Sequence, residues 1–333
     1  MNNNDPFALN VPSLFIIQTP FQAMCAINTI RQLEIEDYCI SLHLQVKTEK
    51  RNKQTIEILK KYSIPYTIFK GDSIGLIKLF RLLFSKTGTY KRVFLGAHLY
   101  HDGYYYALQE LQNNANLVHL DDGTATLDLL DGTYKITGRS LIYMAIYKAI
   151  ASLRRIKLNN LFTVYKEVNS PKWNISYNDL SLSYQSGRDL EKGGVYFIGT
   201  NNSVYVTQYH VNQTHIRKKL REVLLNVKSK YPQENIVYIP HGRDHTLFAK
   251  EVCDEVGIEY KPLSINVEIY ILSLGIMPKA VIGFTSSALY NLKMIFPDMD
   301  VVNVVISILT DKNPSILNAS NYYKKHGIPT IKL

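Results

Sequence analysis

Cysteine is scarce in this chain: Cys25, Cys39 and Cys253 are the three present in 333 residues. An odd number at wide spacing argues against a disulfide framework or a cysteine-based metal cluster and for a reducing compartment. Long apolar runs are missing too. No stretch approaches the roughly 20 residues that a membrane-spanning helix needs. The longest candidate, LIYMAIYKAIASL (141–153), is interrupted by Lys148. The start, MNNNDPFALN, has neither the basic residues nor the apolar core of a signal peptide. These absences give the expectation of a cytoplasmic protein, free or peripheral on the inner face of the cell membrane.

Acidic residues are the minority charge: 28 Asp and Glu stand against 38 Lys and Arg, a formal net charge of +10. That surplus implies an acidic partner, whether nucleic acid, an anionic membrane surface or a phosphate-bearing small molecule. Neither an RNA-binding aromatic signature nor zinc-finger spacing is present, so nucleic acid is not expected. Repeats and low-complexity tracts are absent. With 46% hydrophobic and 20% charged residues, the chain is an ordinary globular protein of a length that suggests two domains.

What is present is a double series of short apolar segments. The first comprises SLFIIQ (13–18), YCISLHLQV (38–46), YTIFKG (66–71), KRVFLGAHL (91–99) and ANLVHL (115–120). The second comprises GVYFIGT (194–200), ENIVYIPH (234–241), GIEYKPL (257–263), KAVIGFT (279–285) and MDVVNVVI (299–306). Amphipathic segments of helical period, such as FQAMCAINTIRQLEI, SIGLIKLFRLLFSK and HIRKKLREVLLNVKSKY, lie between them. Strands alternating with helices predict parallel sheets. The Ser-, Asn- and Gly-rich stretch 168–194 separates the series. The expected fold class is α/β with two Rossmann-like domains, 1–170 and 190–333, facing each other across a cleft.

In open parallel sheets, ligands bind beyond the carboxyl ends of the strands. The residues just after each apolar run are therefore the informative ones: LVHL-DDGT, VYFIG-TNNS, VYIP-HGRD and AVIGF-TSS. Thr285 or Ser286 is a good N-cap for a helix through ALYNLKMIF, and a helix start binds phosphate through its free N–H groups. Simple capping is the competing reading. His241, after Pro240, is placed to donate to a leaving phosphate, or merely to satisfy a loop. His245 sits four residues on, but no third ligand accompanies the pair, so no metal site is expected. Glu268, in the first turn of a helix, is either a helix-terminal charge or an acceptor for both hydroxyls of a ribose. Gly199 and Thr200 form a turn at which backbone can approach a nucleotide.

Two Asp-Gly pairs occur in VHLDDGTATLDLLDGTYK (118–135). Asp131-Gly132, between TLDLL and TYKIT, is expected to be a two-residue hairpin turn. Asp121-Asp122-Gly123 instead ends a strand inside a parallel sheet, where a carboxylate is a candidate general base. Adjacent residues of an extended chain face opposite ways, so the pair does not grip one ion together.

The set TPFQ (19–22), DDG (121–123), His241 in PHG, Glu268 and Ser286-Ser287 resembles bacterial sialyltransferases of the GT-B type. The likeness is strongest to glycosyltransferase family 52, the lipooligosaccharide and capsule sialyltransferases. It implies inverting, metal-independent transfer of sialic acid from CMP-sialic acid to a glycan or glycolipid hydroxyl, with no cofactor. An aspartate of the DDG pair would be the base; Asp121 is favoured, with Asp122 structural or hydrogen-bonding. His241 would serve the departing phosphate, Ser286 and Ser287 would hold it, Glu268 would bind the ribose, and Gly199-Thr200 would lie near the nucleotide. The usual His-Pro of the family is His241-Gly242 here.

Segment 138–160 is expected to be one helix with an apolar face and with Arg139, Lys148, Arg154, Arg155 and Lys157. It suits an anionic membrane carrying a lipid-linked acceptor, or else core or homodimer packing. The competing functions are a GT-B enzyme using another nucleotide sugar such as a UDP-hexose, a metal-dependent phosphohydrolase built on Asp121, Asp122 and His241, and a nucleotide-sugar-binding protein without catalysis.

Overall fold

Uninterrupted apolar segments such as SLFII, VYFI, IVYI and AVIGF form strands buried along their whole length. Such strands belong inside parallel sheets covered on both faces. In this computed structural model residues 5–44, 49–69, 78–79, 82, 88–96, 101–133, 138–184, 190–244 and 246–333 are described. Most of SIGLIKLFRLLFSK, His245 and most of TYKIT lie outside the described residues.

The chain divides into two compact units, Met1–Ser183 and Tyr184–Leu333. The first holds strands β1 (Ser13–Ile17), β2 (Tyr38–His43), β3 (Thr67–Phe69), β4 (Tyr90–Leu95), β5 (Leu111–Leu120), β6 (Lys157–Thr163) and β7 (Asn174–Tyr177). Their order is β3-β2-β1-β4-β5-β6-β7, with every pairing parallel. The second holds β8 (Val195–Ile198), β9 (Ile236–Ile239), β10 (Glu259–Tyr260), β11 (Ala280–Phe284), β12 (Asp300–Val305) and β13 (Thr330–Lys332). Here the order is β10-β9-β8-β11-β12-β13, again all parallel.

Helices cover the sheets through their apolar stripes. The helix Gln213–Lys230 buries Ile216, Leu220, Val223, Leu224 and Val227, a helical period. Asn212 caps its start, and Lys228 and Lys230 occupy its last turn, where cations suit the helix dipole. In the first unit Leu14, Ile16, Val93, Leu95 and Leu117 of the sheet pack with Ala107, Leu108, Tyr147 and Ile150 of two helices.

Three expectations are corrected. The segment 138–160 is not one helix: a helix over Arg139–Leu153 gives way to β6. Ile156 N–H donates to Ala151 O at 2.8 Å and Arg155 N–H to Ser152 O at 3.1 Å, while Arg155 takes a left-handed φ of 54°. This is a Schellman termination with arginine where glycine is usual. Arg154 is not a free cation either. Its guanidinium donates to Leu108 O at 2.6 Å and also to Leu111 O, tying the helix end to the neighbouring helix and strand. Finally, Asp131-Gly132 is not a hairpin turn. Ala125–Asp131 is helical and ends on Gly132 at φ 75°. A type I′ turn and a left-handed helix end both need positive φ at the glycine, so Asp-Gly serves either.

β7 lies within 168–194, the stretch expected to join the domains. Its pairing with β6 carries the first unit through Ser183.

Candidate active site

Strand order locates the crevice of each sheet. In the first unit the chain moves outward from β1 to β3, then returns to add β4 on the other side, so the switch point lies between β1 and β4. The segment after β1 is Gln18-Thr19-Pro20-Phe21-Gln22. Thr19 is the N-cap of helix Pro20–Gln32, its hydroxyl accepting from Gln22 N–H at 3.2 Å, and proline fills the first helical position. Gln22 is fully buried. Its side-chain oxygen accepts from Gln18 N–H at 2.8 Å, and its amide nitrogen donates to Asp122 Oδ1 at 3.0 Å. Thr-x-x-Gln is a capping-box pattern, a signal that could have singled out Gln22, which the sequence offered only within TPFQ. Its contact a hundred residues away has no such signal.

The two aspartates after β5 part ways. Asp121 is wholly buried: Thr163 Oγ1 donates to its Oδ1 at 2.7 Å and Val164 N–H to its Oδ2 at 2.7 Å. Burial pushes its carboxyl up to about 7, against the lowering effect of those hydrogen bonds. Asp122 is half-buried, and its N–H donates to Thr126 Oγ1 at 3.1 Å. Asp121 is the base favoured on sequence, and the two carboxylates differ in what they touch. Asp121 accepts from the last residue of β6 and the first residue after it and has no solvent exposure, whereas Asp122 retains exposed surface at the strand exit.

In the second unit the switch point lies between β8 and β11. Gly199 and Thr200 follow β8, and Thr285, Ser286 and Ser287 follow β11. Ser286 is the N-cap of helix Ser287–Ile295, accepting from Ala288 N–H at 3.3 Å, and both serines are half-buried. Gly199 has a packing reason to be glycine: a Cβ there would lie 2.3 Å from the Tyr238 hydroxyl. A small crevice of about 10 Å³ lies beside these segments, lined by Thr200, Phe284, Thr285 and Ile306 among others.

His241 follows β9 and is half-buried. Arg243 N–H donates to its Nδ1 at 3.2 Å. A neutral imidazole that accepts at Nδ1 carries its proton on Nε2, which is then a donor. The loop is held by Asp244, a residue the sequence reading passed over. Its carboxylate accepts from Asn202 Nδ2 at 2.7 Å, Ser203 N–H at 3.2 Å and Thr246 Oγ1 at 2.9 Å. The loop after β9 is thereby tied to the helix after β8.

Glu268 is nearly buried at 5% exposure. Asn291 Nδ2 donates to its Oε1 at 2.9 Å and Asn266 Nδ2 to its Oε2 at 3.0 Å, and burial raises its carboxyl above the usual range. Among the described residues no three His, Cys, Asp or Glu side chains cluster as a metal site would, and no helix is long and apolar enough to cross a membrane.

No protein-family model matches the chain, and no curated protein matches it. Solved structures do match, over nearly its whole length. An α/β-galactoside α-2,3-sialyltransferase from Photobacterium phosphoreum superimposes with a TM-score of 0.53 at 12% identity, covering 96% of this chain and 97% of that one. The GT-B domain of a Photobacterium damselae sialyltransferase gives 0.54 at 11% identity, covering 96% and 99%. A putative UDP-N-acetylglucosamine 2-epimerase from Listeria monocytogenes gives 0.53 at 10% identity, covering 95% and 89%. The chain therefore has the GT-B fold, two parallel-sheet α/β units of the kind these proteins share.

Proposed function

We propose that this protein is an inverting sialyltransferase that moves sialic acid from CMP-sialic acid to a sugar hydroxyl of a cell-surface glycan. One observation carries the reading. In each sheet, independently, the residues that fit the chemistry stand at the strand exits around the switch point: Asp122 in the first, Ser286, Ser287 and His241 in the second.

Asp122 takes the acceptor proton as the new bond to the anomeric carbon forms, and the bond from that carbon to the phosphate oxygen breaks. The CMP phosphate leaves with the electron pair. The Nε2–H of His241 donates to it, and the helix start at Ser286-Ser287 offers hydroxyls and N–H groups to the same charge. Asp121 is reassigned as a structural anchor. The Glu268 carboxylate accepts from Asn291, Asn266 and its own N–H, and a ribose hydroxyl is the group that suits its remaining acceptor capacity. Gly199 and Thr200 line the approach of the nucleotide. In this reading the base follows β5 and the leaving-group residues follow β9 and β11; neither a cofactor nor a metal enters these steps.

The test is CMP release from CMP-sialic acid with a galactose-terminated acceptor, with and without chelator. Release that survives chelation is expected. If no CMP appears while a UDP-sugar is consumed, the donor assignment fails; loss of activity on chelation favours a metal-dependent phosphohydrolase. The UDP-sugar reading has one observation in its favour, the equal fold likeness to a UDP-N-acetylglucosamine 2-epimerase.

We assign the protein to the cytoplasmic face of the membrane. The helix Arg139–Leu153 exposes Leu141, Ile142 and Leu153, and Lys148, Arg155 and Lys157 are exposed on or just after it. An apolar face beside cations suits an anionic lipid surface.

A further inference from the structure

The contact between TPFQ and the DDG triplet has no place yet in the chemistry. Gln22 belongs to a capping-box pattern, yet its side chain does not close that box in the ordinary way. The usual target is the N–H of the N-cap residue; here the acceptor oxygen takes the N–H of Gln18, one residue earlier, at 2.8 Å. That bond settles which end of the amide is which. With the oxygen committed to a backbone N–H, the nitrogen must face the other way, and it meets Asp122 Oδ1 at 3.0 Å.

Reaching Asp122 from the end of β1 means crossing the end of β4, which lies between β1 and β5. The first residue beyond β4 is Gly96, and a Cβ there would come within 2.8 Å of the Gln22 side chain. Three strand exits are thus shaped around one amide: a backbone donor after β1, a missing side chain after β4, a carboxylate after β5. A residue needed only to cap its helix would require neither of the last two.

We propose that Gln22 is a positioning residue for the general base. Its amide pins Oδ1 of Asp122 with a neutral donor, which leaves Oδ2 as the oxygen that meets the acceptor hydroxyl. The inference rests on the reading of Asp122 as the base. The neutral donor matters because Asp121, the adjacent carboxylate, already interacts with Asp122 through its charge. The helix Pro20–Gln32 contributes Gln22 to Asp122, and the helix Ala125–Asp131 contributes Thr126. A lysine in place of Gln22 would hold the oxygen equally well but would make the carboxylate a weaker base.

Gln22→Glu separates positioning from capping, because glutamate satisfies a capping box as glutamine does. It keeps the helix start but sets a second carboxylate against Asp122. The expected result is a melting temperature close to that of the parent, with the acid limb of the kcat/KM–pH profile moved up by about one unit. Gln22→Met and Gly96→Ala should each lower kcat on the order of 10- to 100-fold with donor KM unchanged, since a misplaced reacting group loses rate and not donor binding. A cap alone predicts a parental profile for Gln22→Glu, and that outcome overturns the proposal. The titration of the Asp122 side-chain carboxyl, followed by carbon-13 NMR in the parent and in Gln22→Glu, gives a readout without turnover. An unchanged midpoint overturns the positioning role whether or not sialic acid is the sugar transferred. Absence of CMP release from the parent protein, with a shifted midpoint in the variant, sinks the functional reading and leaves the Gln22–Asp122 coupling standing.

Discussion

Asp121 spends both carboxylate oxygens on the chain itself, on Thr163 and on the Val164 N–H. Its folded-state carboxyl is raised to about 7, whereas an unfolded aspartate loses its proton near pH 3.9. Between those values the folded protein binds the extra proton, so stability falls as pH rises through the window, by up to about 4 kcal/mol. His43, buried and lowered to about 4, acts in the opposite sense: the unfolded chain takes up its proton below about pH 6.5, so stability rises with pH over that range. The comparison must therefore be between parent and Asp121→Asn. Urea unfolding at pH 4.5 and 7.5 should show a smaller loss of stability with rising pH in the variant, and its turnover should be largely retained. Asp122→Asn should reduce kcat by about 10²- to 10⁴-fold while CMP still binds. His241→Ala should weaken both turnover and CMP affinity; isothermal titration with CMP checks the second.

Elements stop where backbone geometry stops them, and at two stops the sequence pointed elsewhere: Asp-Gly fits a turn as well as a helix end, and Arg155 gives no sign of one. Gly132 ends a helix that looked like a strand before a hairpin, and Arg155 ends a helix that looked as if it continued. Arginine carries no sequence signal for a left-handed conformation, which costs an ordinary side chain roughly 1–2 kcal/mol. Arg155→Gly should raise the unfolding free energy by about 0.5 kcal/mol, the relief of strain less the entropy cost of glycine. Chemical denaturation measures it; a loss of stability would show that the Arg155 side chain contributes more than its backbone strain costs. On the outward face of the same helix, Leu141 is 54% and Ile142 60% exposed. Replacing both with glutamate should abolish co-sedimentation with phosphatidylglycerol vesicles while leaving the activity on a soluble acceptor unchanged. Retained co-sedimentation would rule this face out as the membrane contact.

For the molecule as a whole, the proposed placement of the nucleotide at the strand exits of the second sheet sets what CMP should do. Hydrogen exchange in the presence of CMP should slow amides at 199–203, 240–244 and 285–289, the exits of β8, β9 and β11, without slowing those of β1 to β4. Protection spread evenly through both units would contradict a nucleotide site built on the second alone. The exits were legible because buried parallel strands are written as continuous apolar runs, with polar residues appearing only where the chain leaves the sheet. β6 and β7 were not legible. LNNLFT and NISY carry asparagines that the sheet satisfies internally: Asn160 donates to Leu117 O at 3.0 Å and accepts from Asn174 at 3.1 Å. Polar strands of that kind read as something else, the start of β6 as the continuation of a helix and β7 as part of the stretch between the domains.

The amino-acid sequence by itself determined that there would be two parallel-sheet units and which residues would stand at the strand ends. Those follow from local periodicity and from the cost of burying unpaired polar groups. Only the tertiary structure decided the strand order, and with it the switch point that selects which exits share a crevice. It also decided the roles of neighbours. Asp121 and Asp122 are the same residue type one position apart; one faces Val164 and the other Gln22. The difference is a matter of which elements lie on either side of β5, a property of contacts between residues about 40 and 100 positions away.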